Sequence, residues 1–545
     1  MNLDAPELTF AIALAAGMAA QIAARHLRLP GIVLLLLTGF LLGPDGTNLI
    51  RPETLGDGLH AVVGSAVAVI LFEGGLHLEL SRLRAEAITI RRLITMGAAV
   101  TAVGGTLASR WIMGWPWTVA VPFGTLVVVT GPTVTTPLLR RLRVERDVHT
   151  ILEAEAVLID PIGAIVSVMA LELVLSQEIG AAARGLLGIP TRLVFGGMMG
   201  AVAGWVLARV LGTRRLIPQG LESVSTLALL LGVYASCEVV LPQSGIMAAP
   251  IAGMIVGNRH GQPGHELREF KEQLTVMLVG LLFVLLTADV RTAELAALGV
   301  RGAATVFVLM AIVRPIAVWI STRESGMDLR RRAFLAWLGP RGIVAAAVAS
   351  LFARDLVAQG VSEGLQLRAL VFLVIAATVL IEGLGGEPVA RLLGVRRRSD
   401  SGWVIAGANS LARVLGRALR SHGEEVVLVD TDRDAIAAAR ADGLDGVVGN
   451  ALDDEVLEQA DVGGRRGALV VIPNEAVGLL VAEKVRREHR VGRADVAVRS
   501  GRHDVTPARL ARAGASLLFG AETDLAAWIR RIDDGRAVLR RFRYL

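Results

Sequence analysis

Long apolar stretches recur along most of the chain and limit what it can fold into. Each runs for roughly 16 to 22 residues, the length that a helix needs to cross about 30 Å of hydrocarbon. Their centres lie near residues 16, 38, 68, 99, 127, 165, 202, 230, 250, 281, 308, 342 and 378. The sequence therefore predicts a polytopic α-helical membrane domain of about 13 transmembrane helices over residues 1–395.

The composition agrees with a membrane protein and excludes other classes. Of the 545 residues, 53% are hydrophobic and only 19% are charged, which is too apolar for a soluble multi-domain protein. The net charge of +6 could indicate nucleic-acid binding, but the arginines cluster in short loops, where they are topology signals, so we expect no nucleic-acid partner. The single cysteine, Cys237, rules out an intramolecular disulfide.

The loops between the spans predict the orientation of the chain. Alternate loops carry about 24 Lys and Arg residues on one side and about 8 on the other, and the richer side faces the cytoplasm. We therefore expect a lipid-embedded, multi-pass protein of a bacterial inner membrane. Its N-terminus is expected outside and its C-terminal domain in the cytoplasm.

Two predicted spans contain Gly and Pro at membrane depth, where free backbone groups need a cavity or a neighbour. The fifth span contains residues 130–133 (TGPT), and the twelfth contains residues 338–342 (LGPRG). Seven spans separate them, and an odd offset reverses orientation, so they could be equivalent parts of an inverted repeat with a transport site at the midplane. The alternative is that these residues only kink or pack the helices.

Asp160 is the strongest single signal of a site. It lies inside the sixth span, where an ionisable side chain costs at least about 2.5 kcal/mol unless it has a partner or a function. A carboxylate there can hold either a proton or a desolvated alkali cation, so the two compete for one group. Alternatively, Asp160 caps a helix broken by Pro161 near an aqueous end.

Other charged residues are assigned around Asp160. Glu155 lies five residues earlier, near the same helix face, and Arg341 in the broken twelfth span requires an anion, so we predict a Glu155–Arg341 ion pair. Glu73, toward the inner end of the third span, is either part of a cytoplasmic funnel or an interfacial carboxylate. Thr130 and Thr133 are the hydroxyls favoured as cation ligands. Placement near helix ends explains the remaining charges, namely Glu222, Glu238, Asp289 and Arg314.

Taken together, these motifs resemble the monovalent cation:proton antiporter-1 family over most of residues 8–390. The motifs that carry the resemblance are 72–76 (FEGGL), 130–133 (TGPT), 155–160 (EAVLID), 244–245 (SG), 252–254 (AGM), 257–258 (GN) and 339–342 (GPRG). The resemblance implies a homodimer, elevator-like alternating access, and exchange of Na⁺ or K⁺ for H⁺. It makes Asp160 the essential aspartate, Glu155 the acidic partner of an arginine, and Arg341 that arginine.

The sequence departs from this family at two places. Ile159 stands where the family usually has Asn, and Gly131 stands where it often has Asp. Both changes remove oxygen ligands, so the coordination sphere should rely on water, backbone carbonyls or Thr130. With one ion-exchanging carboxylate, we predict electroneutral one-for-one exchange.

After Arg398 the pattern changes to short β-rich runs that alternate with Ala/Arg-rich helical runs. This succession predicts a Rossmann-like α/β domain over residues 401–520, followed by a helical tail over 521–545. The predicted strands are 402–406, 425–429, 447–448 and 468–472, and the predicted helices are 411–421, 433–441 and 456–460.

The first strand of this domain leads into a helix through a glycine turn. Gly407 permits the turn, and Asp430, about 23 residues on, is placed to accept hydrogen bonds from ribose hydroxyls and to disfavour a 2′-phosphate. Asn409 and Ala412 occupy the second and third glycine positions, so the fingerprint is incomplete.

With the later segments 449–453 and 467–475, the domain resembles the nucleotide-binding half of the regulator of potassium conductance family. That resemblance implies binding of NAD(H), AMP or ATP, gating of the attached transport protein, and ligand contacts from Gly407, Asn409, Asp430 and Asp453. The alternative is a degenerate domain that only dimerises.

We therefore predict a monovalent cation/proton antiporter regulated by a nucleotide, and not an enzyme. A solute transporter or a ligand-gated channel of related architecture is the alternative, although a channel would need a continuous pore. A membrane-anchored NAD-dependent oxidoreductase ranks third. The residues that follow the nucleotide fold are too few to form the substrate domain that such an enzyme needs.

Overall fold

The structure is a computed structural model of the whole chain. It describes residues 5–27, 30–56, 58–78, 80, 83, 86–142, 144–175, 181–211, 221–258, 265–396, 402–489, 491–498, 507–519 and 524–537. The chain divides into two compact units, Met1–Arg396 and Arg397–Leu545.

The first unit is entirely helical in its described part. Its helices are α1 (Pro6–Leu27), α2 (Gly31–Leu42), α3 (Gly58–His77), α4 (Ala87–Met113), α5 (Trp117–Leu126), α6 (Pro132–Leu142), α7 (Arg146–Leu175), α8 (Ala181–Leu211), α9 (Glu222–Val240), α10 (Ser244–Gly257), α11 (His265–Ala288), α12 (Thr292–Thr322), α13 (Leu329–Trp337), α14 (Ile343–Ala358) and α15 (Glu363–Leu392). A short 3₁₀ helix, Pro52–Leu55, precedes α3.

The helices agree with the predicted membrane spans. Among the described residues, seven helices are long and apolar enough to cross a membrane, and five further apolar helices have 10–17 residues. Every predicted span centre lies within a helix or in one of two breaks, between α5 and α6 and between α13 and α14. The predicted multi-pass helical fold is confirmed.

The two breaks occur at the predicted Gly/Pro segments and meet each other. Thr130 and Arg341 form an isolated antiparallel β-bridge between the two unwound segments. A Cβ added to Gly131 would lie 2.6 Å from the Cα of Gly342, so a side chain at either glycine would collide with the opposite backbone. The two unwound segments therefore cross at Gly131 and Gly342, where neither has a side chain. This place is called the crossing below.

Helices α4 and α12 also pack against each other and share a further irregularity. Each contains π-helical turns, at Leu93–Gly97 and Ser109–Met113 in α4 and at Leu309–Val313 in α12. Like the broken spans, α4 and α12 are the fourth and eleventh spans, seven apart. Turns of this kind are frequently found at functional sites.

The second unit is a parallel, doubly wound sheet. Its strands are β1 (Trp403–Ala406), β2 (Val426–Asp430), β3 (Asp445–Val448), β4 (Gly467–Val470), β5 (Arg493–Val496) and β6 (Ser516–Leu517), in the order β3-β2-β1-β4-β5-β6. Its helices are α16 (Ser410–Arg420), α17 (Arg433–Ala441), α18 (Asp454–Gln459), α19 (Glu475–Arg487), α20 (Pro507–Ala513) and α21 (Leu525–Asp533), with a 3₁₀ helix at Val462–Gly464. The predicted Rossmann-like α/β fold is confirmed.

The helix α21 lies within the predicted C-terminal tail and packs on this sheet. Leu525 is buried in the same apolar cluster as Ile405 and Leu428, and its N–H donates to the carbonyl of Val498 at 3.2 Å. Residues 521–523 and 538–545 of the predicted tail lie outside the described residues.

Candidate functional site

Asp160 lies on the face of α7 that packs against the break between α5 and α6. Residues three apart share a helix face, and Val157 and Gly163 flank Asp160 at that spacing. A Cβ on Gly163 would lie 2.6 Å from Val129 in the break, and Val157 packs with Pro132 around Gly74. The Asp160 side chain is therefore placed beside the crossing of the two broken spans, with a relative exposure of 1%.

Three buried oxygen atoms in this region have no hydrogen-bond partner among the residues that the structure describes. They are Oδ1 of Asp160 and the hydroxyls of Thr130 and Thr133, and all three residues are predicted site residues. Buried polar atoms are nearly always satisfied, so three such atoms around one crossing mark a place that fits a ligand. The described residues contain no group of three or more His, Cys, Asp or Glu that could hold a metal ion. A cation here would take hydroxyl, backbone or water oxygens in addition to Asp160.

The ion pair of Glu155 differs from the prediction. Glu155 binds Arg314, whose Nη1 and Nη2 donate to Oε1 and Oε2, the second at 2.9 Å, and both side chains are buried. The predicted pair with Arg341 is wrong, because α12 continues to Thr322 and so carries Arg314 into the interior rather than to an interface. A bidentate guanidinium satisfies both oxygens of the carboxylate at once.

Arg314 also organises the second break. Its Nη2 donates to the carbonyls of Leu335 and Leu338 at 3.2 and 2.9 Å. These carbonyls lie where the helix α13 ends and have lost their helical partners. Arg314 thus joins α7, α12 and the unwound segment of the twelfth span.

Arg341 lies in the crossing itself. Its Nη1 donates to the carbonyl of Val128 at 3.3 Å, and its N–H donates to Oγ1 of Thr378 at 3.3 Å. Both broken segments are therefore tied together by the backbone and the side chain of Arg341. It is buried and forms no ion pair with a described residue.

Glu73 lies in α3 beside Gly74, which packs against Pro132. It lines a cavity of about 440 Å³ that also contains Arg25, His77 and Arg141 and extends to Thr133. Arg141 lies near the end of α6. Four residues later, the N–H of Glu145 donates to the carbonyl of Val395 at 3.0 Å, so the last residues of the unit lie at the same end as Arg141. The cavity thus leads from this end of the unit toward the crossing.

Two buried groups at the crossing are not among the site residues that the sequence predicts. The sequence places Arg314 near a helix end, and it assigns no role to Glu382 in α15. The signal for Glu382 was available, because a carboxylate inside a span as apolar as α15 is a functional candidate by default. Asp289, also assigned to a helix end, accepts a hydrogen bond from Arg368, which also binds Glu294 at 2.6 Å.

The carboxyl edge of the sheet in the second unit gathers the predicted nucleotide residues. Gly407 follows β1 with φ of +106°, and a Cβ there would lie 2.6 Å from the carbonyl of Val471. Asp430 ends β2 and accepts hydrogen bonds from the N–H groups of Ala408 at 2.7 Å and Asp432 at 3.0 Å. Asp453 follows β3, at the same edge.

Asn409 replaces the second glycine and has a structural function. Its Oδ1 caps α16 by accepting from the N–H of Ala412 at 3.0 Å, and its Nδ2 donates to the carbonyl of Val471 at 2.8 Å. The neighbouring hydroxyl of Ser410, at the first position of α16, is buried and has no hydrogen-bond partner among the described residues. A helix N-terminus with an unsatisfied hydroxyl, beside the switch between β1 and β4, fits a phosphate group.

Replacing Gly342 by Ala is predicted to disrupt the crossing. The new Cβ would lie 2.4 Å from the Cα of Gly131, and backbone atoms cannot move aside as flexible side chains can. We expect a melting temperature several degrees lower. Thermal unfolding in detergent measures this effect. Gly197→Ala, where a Cβ meets nothing within 4 Å, is the matched control, and equal behaviour of the two variants would contradict a close crossing.

Crossed broken helices around a buried carboxylate are typical of membrane transporters, and a doubly wound sheet is typical of dinucleotide-binding domains. Residues 10–392 match the family described as sodium/hydrogen exchanger, transmembrane, and residues 403–519 match the TrkA-N domain. The chain belongs to the sodium/hydrogen exchanger family.

Similar proteins are antiporters by their descriptions. The chain is 26% identical over 373 residues to the K(+)/H(+) antiporter NhaP2 of Shewanella oneidensis, and the match covers 67% of this chain and 63% of that protein. It is 22% identical over 406 residues to the probable Na(+)/H(+) antiporter 2 of Methanocaldococcus jannaschii, covering 69% and 94%. The structure of the sodium proton antiporter MjNhaP1 from that organism, 22% identical, superposes with a TM-score of 0.63 over 71% of this chain and 98% of that one, which establishes the shared fold.

Proposed function

We propose that the chain is a secondary antiporter that exchanges a monovalent cation, Na⁺ or K⁺, for H⁺. The observation that carries the proposal is the buried carboxylate of Asp160 beside the crossing, where its Oδ1 and the hydroxyls of Thr130 and Thr133 lack partners in the described part of the chain. A proton satisfies this carboxylate as a covalent O–H, and a desolvated cation satisfies it together with the two hydroxyls. The two ligands exclude each other at one group.

Exchange requires that this site face each side of the membrane in turn. The cavity lined by Glu73 and reaching Thr133 provides access from the end where Arg396 leaves the unit, which we assign to the cytoplasm. Rigid movement of the crossed spans against the other helices, of the elevator type, would carry the site to the opposite side. In this mechanism Glu155, Arg314 and Arg341 keep the crossing intact and bind no transported ion.

The stoichiometry and the ion follow from the charges. Asp160 is the one carboxylate proposed to exchange ions, so one cation replaces one proton and no net charge moves. The described relatives include a K(+)/H(+) and a probable Na(+)/H(+) antiporter, which leaves both cations as candidates. Scarce protein oxygens favour weak, water-assisted coordination.

A proton-flux assay in proteoliposomes tests this function. Purified protein is reconstituted with an internal pH dye, and Na⁺, K⁺, Li⁺ or choline is added outside under an imposed proton gradient. We expect one or more alkali cations, but not choline, to drive proton movement, with no change in membrane potential. Proton movement that is absent with every cation, or equal with choline, would contradict antiport, and a cation-dependent potential would contradict one-for-one exchange.

We further propose that the second unit binds an adenine nucleotide, NAD(H) or a mononucleotide, and thereby regulates transport in a homodimer. Gly407, the N-terminus of α16 and Ser410 would hold the phosphates, while Asp430 would accept hydrogen bonds from the ribose and Asp453 would contact the ligand from the end of β3. Asp430 already supports the glycine turn through Ala408, so ligand and turn share one carboxylate. The site is thereby preformed.

Replacing Asp430 by Asn is predicted to weaken nucleotide binding. The change removes the charge but keeps an acceptor for Ala408, and a hydrogen bond to a charged group contributes about 1.5–3 kcal/mol, so Kd should rise about tenfold to hundredfold. Calorimetric titration of the full-length protein with NADH, NAD⁺, AMP and ATP measures this. Asp445→Asn, an exposed residue at the opposite end of the sheet, is the control. Unchanged affinity in Asp430→Asn would remove Asp430 from the site.

A further inference from the structure

Glu382 is a buried carboxylate in the middle of the transport unit that the mechanism above does not use. It lies in α15, an apolar helix of 30 residues, and has a relative exposure of 3%. An ionisable group at such a position is costly unless it is hydrogen-bonded and compensated. Its surroundings therefore show what compensates it.

The carboxylate binds the backbone of the broken twelfth span. Oε2 of Glu382 accepts the N–H of Gly339 at 2.9 Å, and Oγ1 of Thr378, one turn earlier, accepts the N–H of Arg341 at 3.3 Å. Residues four apart share a helix face, so α15 presents both acceptors to the unwound segment. This helix forms a third side of the crossing, beside α7 and α12.

Besides Asp160, the described residues around the crossing include four buried charges. Glu155 and Arg314 form a bidentate pair. Arg341 and Glu382 form no ion pair of their own with a described residue. Glu382 binds the N–H of Gly339, and a Cβ added to that glycine would lie 2.7 Å from Nε of Arg314, so Glu382 reaches the same segment as both guanidiniums.

We propose that Glu382 is a positioning residue that, together with Glu155, balances the guanidinium charges of Arg314 and Arg341 and so sets the cation affinity of Asp160. The proposal rests on the antiport function given above. With Glu382 ionised, the two guanidiniums are balanced by two carboxylates, and Asp160 is the single uncompensated charge. A site with one excess negative charge takes one cation or one proton.

Neutralising Glu382 leaves one of the two guanidinium charges without compensation. That excess charge opposes a cation bound at Asp160. In a medium of effective dielectric constant about 20, Coulomb's law gives a change of about tenfold in an equilibrium for a unit charge at a separation of roughly 10 Å. Glu382→Gln keeps the shape and an acceptor for Gly339. We therefore expect the KM for the transported cation to rise about fivefold to tenfold while the maximal rate changes less than twofold.

Removing the second charge as well tests the charge balance. The double variant Arg341→Gln with Glu382→Gln has no excess charge, so its KM should return toward the wild-type value. Thr378→Val removes an acceptor from the same helix face without changing a charge, and we expect its KM to stay within about twofold of the wild type. Thermal unfolding of the same four proteins gives a second readout, in which Glu382→Gln is lower and the double variant recovers.

The outcomes separate this inference from the proposed function. Two results would contradict the proposed charge balance. One is a wild-type KM in Glu382→Gln, and the other is a double variant whose KM and melting temperature are both no closer to the wild type than those of Glu382→Gln. If the wild type shows no exchange with any cation, the proposed function fails, and the unfolding series still decides whether Glu382 balances the guanidinium charges. Recovery of the double variant supports the inference in either case.

Discussion

Replacing Asp160 by Asn is expected to abolish cation-driven proton movement, by about a hundredfold or more. Asn keeps the volume of the side chain but can neither bind a proton at physiological pH nor balance the charge of a cation. Both substrates lose the same group, so exchange should fail in both directions and with every cation. Initial rates of dye response in proteoliposomes measure the effect.

A matched control separates this loss from damage to the fold. Glu238→Gln changes a carboxylate in another helix, α9, whose oxygen accepts the N–H of Gln243 at 2.8 Å, and Gln can still accept that bond. We expect wild-type flux from this variant and wild-type melting temperatures from both. Identical flux in wild type and Asp160→Asn would remove Asp160 from the mechanism and return the solute-transporter alternative to first place.

Replacing Arg314 by Met is expected to destabilise the transport unit by about 3–5 kcal/mol. The change leaves the buried carboxylate of Glu155 without its partner and frees the carbonyls of Leu335 and Leu338. Thermal unfolding in detergent should show a much lower transition, and little protein should reach the membrane. A transition equal to that of the wild type would show that this pair contributes nothing to the fold.

The double variant Glu155→Leu with Arg314→Met distinguishes the lost pair from lost packing. Removing both charges leaves no unpaired buried ion, and apolar replacements of buried pairs are often neutral or stabilising. We expect most of the lost stability to return, although the carbonyls at the end of α13 remain unsupported. A double variant as unstable as Arg314→Met alone would assign the effect to those carbonyls instead.

The sequence predicts the membrane spans and the breaks because each depends on local chemistry. Length and hydropathy locate a span, and Gly with Pro at membrane depth locates a break. The same holds in the second unit, where the predicted helix at 433–441 agrees with α17 and the strands agree to within a few residues. Periodicity and turn residues act over a few positions, so they can be recognised without knowing the packing.

The partners of buried charges depend on packing and were predicted less well. Arg341 lies in a break, which favours it in the sequence as the partner of Glu155, but Arg314 in α12 reaches that carboxylate. Which face of α12 turns inward depends on its contacts with α4, and the π-helical turn just before Arg314 changes that face. Glu382 was missed because its function is visible only when α15 is seen against Gly339.

The close approach of Gly131 and Gly342 restricts which ligands this kind of site can contain. An acidic side chain at position 131 and two backbones in van der Waals contact are mutually exclusive, since the first atom of any side chain would already overlap the opposite strand. A transporter with aspartate at this position must hold its two unwound segments further apart. This chain has glycine at both positions. Under the antiport proposed above, we therefore expect its selectivity among alkali ions to depend on how closely the two backbones enclose Asp160 rather than on the number of carboxylates around the ion.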